Sequence, residues 1–178
     1  MSRMQGKVAL VSGGAEGIGA AAAQEIIAQG GSVMLGDIQR EKAKALAAAL
    51  GERAAAWHLD VRDLAHWEAA VAATQARFGK LTVLVNCAGI SEPGTVTEVT
   101  LDSWERTIAI NLNGTFYGCR AAIPAMAASG EPCAIVNIGS MITIRPGAMF
   151  AAYSASKGAV QALTRSIALD CAEKGLPI

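Results

Sequence analysis

A glycine-rich turn, Ser12-Gly13-Gly14-Ala15-Glu16-Gly17-Ile18-Gly19, lies between a valine-rich run at residues 7–12 and a helical pattern at 20–29. This strand–turn–helix junction limits the possible folds more than any other feature of the chain. Glycines allow a sharp reversal and let a phosphate group come into contact with the backbone. The helix beyond the turn aims its free N–H groups and the positive end of its dipole at the same point. Ala20 to Ala23 let that helix lie close to a sheet. The junction therefore predicts nucleotide binding. A phosphate loop of the ATPase kind would need Gly-Lys followed by Ser or Thr, which this turn lacks.

The rest of the chain repeats the alternation. Further strands are predicted at 32–37, 54–60, 81–86 and 133–138. Helices are predicted at 40–50, at 64–78 after a capping Asp63, at 101–126 as one long element, and at 152–174. Leu64, Trp67, Val71 and Phe78 mark the buried face of the third helix, and Val160, Leu163, Ile167 and Cys171 form a stripe on the last. Residues 91–97 and 141–150 read as loops. This order predicts an α/β fold, a Rossmann-like doubly wound parallel β-sheet with helices on both faces, as one domain over residues 1–178.

Composition narrows the function classes. Acidic and basic residues balance at 15 each, so nothing points to nucleic acid or an anionic membrane. No apolar stretch approaches the roughly 20 residues of a spanning helix, and the run after Lys7 is too short for a signal peptide. The four cysteines lie far apart and the two histidines have no ligand spacing, so no metal site is expected. Three of the cysteines sit in apolar surroundings, which predicts buried free thiols and a cytoplasmic protein.

Two further features bear on chemistry. Asp37 closes the second strand, where an acid can accept hydrogen bonds from the adenosine ribose and repel a 2′-phosphate. NAD is therefore the expected cofactor, with Glu16 reinforcing the preference and Arg40 the one basic candidate nearby. A plainer role for Asp37 is to cap the next helix. Tyr153 and Lys157 stand one turn apart on the last helix and share a face. A nearby ammonium favours the phenolate and makes the tyrosine a usable base.

The spacing Gly13-x-x-x-Gly17-x-Gly19, with Ser12 before it, resembles the cofactor fingerprint of the short-chain dehydrogenase/reductase family. Ser140, Tyr153, Lys157 and Asn111 are similar to that family's catalytic residues, and Asn86-Cys87-Ala88-Gly89 resembles its Asn-Asn-Ala-Gly segment. The resemblance implies NAD contacts from Ser12, Gly13, Gly17, Ile18, Gly19, Asp37, Asn86, Ala88, Gly89, Tyr153 and Lys157, with Asp60-Val61 as the adenine-contacting pair. It implies Tyr153 as general acid/base, Ser140 on the substrate oxygen, Lys157 on the nicotinamide ribose, and Asn111 beside a proton-relay water. Cys87 replaces the second asparagine, so one sheet-bracing side chain is expected to be altered. For Asn111 a harmless solvated position is the plainer alternative.

The resemblance also implies a secondary alcohol or ketone as substrate. Met141, Ile142, Ile144, Met149 and Phe150 suggest an apolar pocket wall, or else ordinary loop packing. Homodimers or homotetramers are expected through the long helix and the last one, using Ile108, Leu112, Phe116, Val160, Leu163 and Ile167. Similar proteins continue beyond the last helix with another strand and a substrate loop. The chain is therefore expected to be part of a longer enzyme. A non-catalytic nucleotide-binding or assembly module of the same fold is the alternative.

Overall fold

A computed structural model describes residues 2–178. Five strands alternate with helices: β1 Val8–Ser12, α1 Gly17–Ala28, β2 Ser32–Asp37, α2 Arg40–Leu50, β3 Ala54–His58, α3 Leu64–Phe78, β4 Val83–Asn86, α4 Leu101–Ile108, α5 Gly114–Ala128, β5 Ala134–Asn137 and α6 Ala151–Glu173. All strand pairs are parallel, in the order β3-β2-β1-β4-β5. From β1 the chain winds outward through β2 and β3, then returns across β1 to β4 and β5. The expected doubly wound sheet is present. Its direction switches between β1 and β4, and a crevice opens there beyond the carboxyl ends of the strands.

Register explains why the polar residues gather at that edge. Ser12 lies opposite Gly36 on one side and Asn86 on the other, and Asn86 lies opposite Asn137. Below this row β1, β2 and β4 are mostly apolar, as strands covered on both faces require, while β5 keeps one face open with Val136 exposed. Ala9, Val11, Val33 and Leu35 face α1 and α2. Leu10, Leu84, Trp67 and Met126 form the opposite core with α3 and α5. Trp67 is wholly buried, and its indole N–H donates to the Val61 carbonyl at 3.1 Å. Burying one such leucine contributes about 1.5–3 kcal/mol.

The bounds predicted for β2 and α2 agree with the structure. Asp63 caps α3 as expected, accepting from the Ala65 N–H at 2.8 Å. The helix expected from residue 20 starts three residues earlier, because Gly17 takes φ 54° and turns the chain directly into α1. The expected single helix at 101–126 is instead α4, a π-helical turn Ala109–Asn113, and α5. The thiols also differ from expectation: Cys119 and Cys171 are buried, whereas Cys87 and Cys133 are only partly covered. No helix among the described residues is long and apolar enough to cross a membrane.

Candidate active site

The crevice at the switch point is a cleft of about 530 Å³. Gly13, Ile18, Asp37, Asp60, Val61, Ala88 and Gly89 line it, whereas Ser12, Gly17, Gly19, Asn86, Tyr153 and Lys157 do not. Each fingerprint glycine has its own steric reason. At Gly13, φ is 65°, and a Cβ there would stand 2.9 Å from the Ala88 backbone. At Gly19 a Cβ would come within 2.1 Å of the Gly13 carbonyl oxygen. At Gly17, φ is 54° and a Cβ would meet nothing within 4 Å, so the space above the α1 N-terminus is open. That open cradle of backbone N–H groups fits a dinucleotide pyrophosphate. Ser12 lies beneath the cradle, its Oγ accepting from the N–H groups of Cys87 at 3.2 Å and Ala88 at 3.3 Å.

Asp37 is buried in the wall of the cleft, at the end of β2. Its carboxylate accepts from the Ala15 N–H at 2.9 Å and the Gln39 N–H at 2.8 Å. It therefore ties the glycine turn to the start of α2. Asp60 is held by Arg62 through Nε and Nη2, at 2.9 and 2.6 Å, and this guanidinium lowers its pKa to about 2. Glu16 bonds Lys42 and also accepts from Gln39 Nε2 at 3.1 Å; Lys42 lowers its pKa. Lys42, rather than the Arg40 expected from the sequence, is the base that reaches Glu16.

Asn86 and Cys87 divide their work differently from expectation. Asn86 braces the sheet, its Nδ2 donating to Asn137 Oδ1 at 2.8 Å across β4 and β5. Asn137 Nδ2 passes the link to Thr164 Oγ1 on α6 at 2.9 Å. Cys87 lines the cleft instead, so replacing an asparagine there leaves this brace intact. Burial raises the pKa of Cys87, partly offset by the charge of Lys157.

The π turn brings Asn111 inward. It is fully buried, which excludes a solvated position. Its Oδ1 accepts from the Ile90 N–H at 2.8 Å, and its Nδ2 donates to the Ile90 carbonyl at 2.9 Å and to Ser156 Oγ at 3.0 Å. Ser156 Oγ in turn donates to the Tyr153 carbonyl at 2.8 Å. No motif marked Ser156; only the three-dimensional structure shows its position.

Lys157 is 5% exposed, and its Nζ donates to the Ile138 carbonyl at 2.7 Å. Burial lowers its pKa. Its Nζ lies 5.9 Å from the Tyr153 ring centre. Lys157 and Ser140 share a second cavity of about 340 Å³. Ser140 caps the short turn after β5, its Oγ accepting from the Ile142 N–H at 3.2 Å. Gly89 lines the first cavity, and a Cβ there would lie 3.2 Å from Asn111 Oδ1 and 3.6 Å from Lys157 Nζ, so this wall of the cleft lies close to a lysine of the second cavity. The second cavity holds the buried Lys157 and the Ser140 hydroxyl, and the half-buried Tyr153 stands one helical turn before Lys157, a set of groups suited to moving a proton on and off an alcohol oxygen.

The model of the short chain dehydrogenase family matches residues 7–178. The chain is 41% identical to a 2,5-dichloro-2,5-cyclohexadiene-1,4-diol dehydrogenase of Sphingobium indicum, over 99% of its own length and 72% of that protein's. It is 42% identical to a 3-beta-hydroxysteroid dehydrogenase of Comamonas testosteroni, over 99% of its own length and 69% of that protein's. Among solved structures it is similar to a 3-ketoacyl-(acyl-carrier-protein) reductase from Brucella melitensis complexed with NADH. The TM-score is 0.91 with 33% identity, covering 96% of this chain and 72% of that one.

Proposed function

The chain belongs to the short-chain dehydrogenase family of oxidoreductases, and from that premise we propose that it interconverts a secondary alcohol and a ketone with NAD. The observation that carries this reading is the meeting at Gly89 of the nucleotide-sized cleft with Asn111 and Lys157. Residues 1–178 would then hold both the cofactor-binding and the proton-transfer machinery. The nicotinamide, when bound, supplies the hydride acceptor or donor.

The chain's own residues handle the oxygen and its proton. Ser140 Oγ holds the substrate oxygen, and Tyr153 takes the hydroxyl proton in oxidation or returns it in reduction. Lys157 favours the ionised phenol and binds the cofactor ribose. The side chain of Asn111 is committed to Ile90 and Ser156, so its part is to fix the cleft loop against α6. Asp37 accepts from the adenosine ribose and rejects a 2′-phosphate. Asp60 and Val61 flank the adenine.

Met141, Ile144 and Met149 expose apolar side chains around the catalytic serine and tyrosine, which supports an apolar substrate. The similar proteins that are named for ring alcohols point the same way. A secondary alcohol on an apolar ring is the substrate class we assign. The test is formation of reduced nicotinamide by the purified protein with a panel of cyclic and open-chain secondary alcohols, each with NAD and with NADP. Turnover confined to cyclic alcohols with NAD is expected. Equal use of NADP, or turnover of primary alcohols alone, would overturn the assignment.

A further inference from the structure

Eight glycines among the described residues take a positive φ, and Met149, at φ 66°, is the only other residue that does. A side chain in this left-handed region strains the backbone, whereas glycine enters it freely. Neighbours on both sides hold the strained residue in place. The Met149 carbonyl accepts from the Gly94 N–H at 2.7 Å, and Gly94 pairs with Phe150 in an isolated parallel bridge. Gly94 lies close against Val99, where a Cβ on it would stand 3.2 Å from the Val99 Cα. On the other side, the Phe150 carbonyl accepts from the Ser154 N–H at 2.8 Å as α6 begins. The Phe150 ring packs edge-on against Tyr153 with centres 6.4 Å apart. Met149 is therefore fixed one residue from a ring that packs on the proposed base.

The backbone requires this conformation but does not require a methionine. Glycine would adopt it without strain, as it does at the other eight positions. Core packing does not account for the residue either, since Met149 is 48% exposed and belongs to neither hydrophobic cluster. Met141 and Ile144 are exposed in the same segment, but neither has a positive φ, so nothing singles them out. A strained residue that contributes little to the core is kept for a contact outside it. Met149 lies between Ser140 and Tyr153 in the chain. We propose that Met149 is a specificity-determining residue whose side chain covers the apolar ring of a cyclic secondary alcohol held at its oxygen by Ser140 and Tyr153. This rests on the reading of the chain as a dehydrogenase of secondary alcohols. The thioether is unbranched and polarisable, so it adapts to an apolar ring. The bridge to Gly94 fixes the backbone before substrate arrives, which lessens the entropy lost on contact.

The test compares the wild type with Met149→Gly, Met149→Ala and Met149→Leu in the oxidation of cyclohexanol and propan-2-ol with NAD, alongside thermal unfolding. Met149→Gly relieves the strain and should raise the thermal midpoint by about 1–3 °C. It should nevertheless raise KM for cyclohexanol by about fivefold or more, because the apolar contact is gone. Met149→Ala keeps the strain and loses the side chain, so it should raise the same KM without the gain in midpoint. The change should fall on KM rather than kcat, and far less on propan-2-ol, which offers no ring. Met149→Leu restores apolar bulk and should return the cyclohexanol KM to within about twofold of the wild type. An unchanged KM in the glycine and alanine variants, an equal rise for both alcohols, a leucine variant no better than alanine, or a midpoint that falls in Met149→Gly overturns the inference. Each of these leaves the dehydrogenase reading standing. A wild type that oxidises neither alcohol overturns that reading, and the inference with it.

Discussion

Asn111 and Ser156 share a 3.0 Å hydrogen bond in a fully buried setting, joining the π turn between α4 and α5 to the helix that carries Tyr153. The same amide clasps both backbone groups of Ile90, so one side chain satisfies three partners from two other segments. Asn111→Ala strands those partners, at a cost of about 1–3 kcal/mol for each group left unsatisfied. Ser156→Ala removes one of them and should cost about 1 kcal/mol. Denaturant unfolding of both variants checks the ranking. Equal stabilities would show that the clasp contributes nothing.

The glycines of the turn should separate by mechanism. Gly19→Ala drives a Cβ into the Gly13 carbonyl, so the turn must reshape and cofactor binding should be lost. Gly17→Ala meets no neighbour and incurs only the strain of a positive φ, about 1 kcal/mol. Its NAD affinity should still fall, because the new methyl group occupies the space assigned to the pyrophosphate. Thermal unfolding and NAD titration of both variants distinguish the two effects. Normal NAD affinity in Gly17→Ala would place the phosphates elsewhere.

Tyr153→Phe removes the hydroxyl assigned to proton transfer while keeping the ring, which packs edge-on against Phe150 with centres 6.4 Å apart. Turnover should fall by about 10²–10⁴-fold, the usual range for a lost general acid or base. The thermal midpoint should stay close to that of the wild type. Wild-type turnover by this variant would remove Tyr153 from the mechanism.

The state of Lys157 gives a pH dependence with a definite sign. Burial disfavours its ammonium form, so the proton leaves below the ordinary value of 10.5. Support for the Tyr153 phenolate is present while Lys157 is charged and disappears as pH rises through its lowered pKa. In oxidation, kcat/KM should therefore decline on an alkaline limb that begins below 10.5. A pH–rate profile that stays flat past that point contradicts the role given to Lys157.

Much of this was legible in the sequence because local rules act alone there. Gly51 after Leu50 and Asp63 before Leu64 set helix ends that the structure keeps. The turn from Ser12 to Gly19 is legible through Gly13 and Gly19, where no side chain fits, and Gly17, whose positive φ favours glycine. The π turn was not legible, since Asn111 is pulled inward by Ile90 and Ser156, and no local pattern encodes those partners. Nor was the pairing of Lys42 with Glu16, which depends on how α2 lies across the turn. The brace at Asn86 was placed one residue off, because strand alternation decides which of Asn86 and Cys87 faces Asn137.

The exposed faces of α4, α5 and α6 carry the last prediction. Six apolar residues on these helices and the π turn are expected from the sequence to meet a second copy of the chain. Val160 does not, since it is 1% exposed and packed inside. Ile108, Leu112, Leu163 and Ile167 are half-buried, and Phe116 remains 43% exposed. Covering the exposed part of that ring would contribute about 1 kcal/mol per copy. In a symmetric dimer each interface residue occurs twice, so one substitution acts on both sides. Phe116→Asp places a charge on each copy of the face and should convert a homodimer or homotetramer into a smaller species. Its surface position means that folding of the monomer should be unaffected. Light scattering of the wild type and this variant across a range of concentrations decides the matter. A wild type that is monomeric at every concentration, or an assembly indifferent to Phe116→Asp, would mean that these helices do not form the interface.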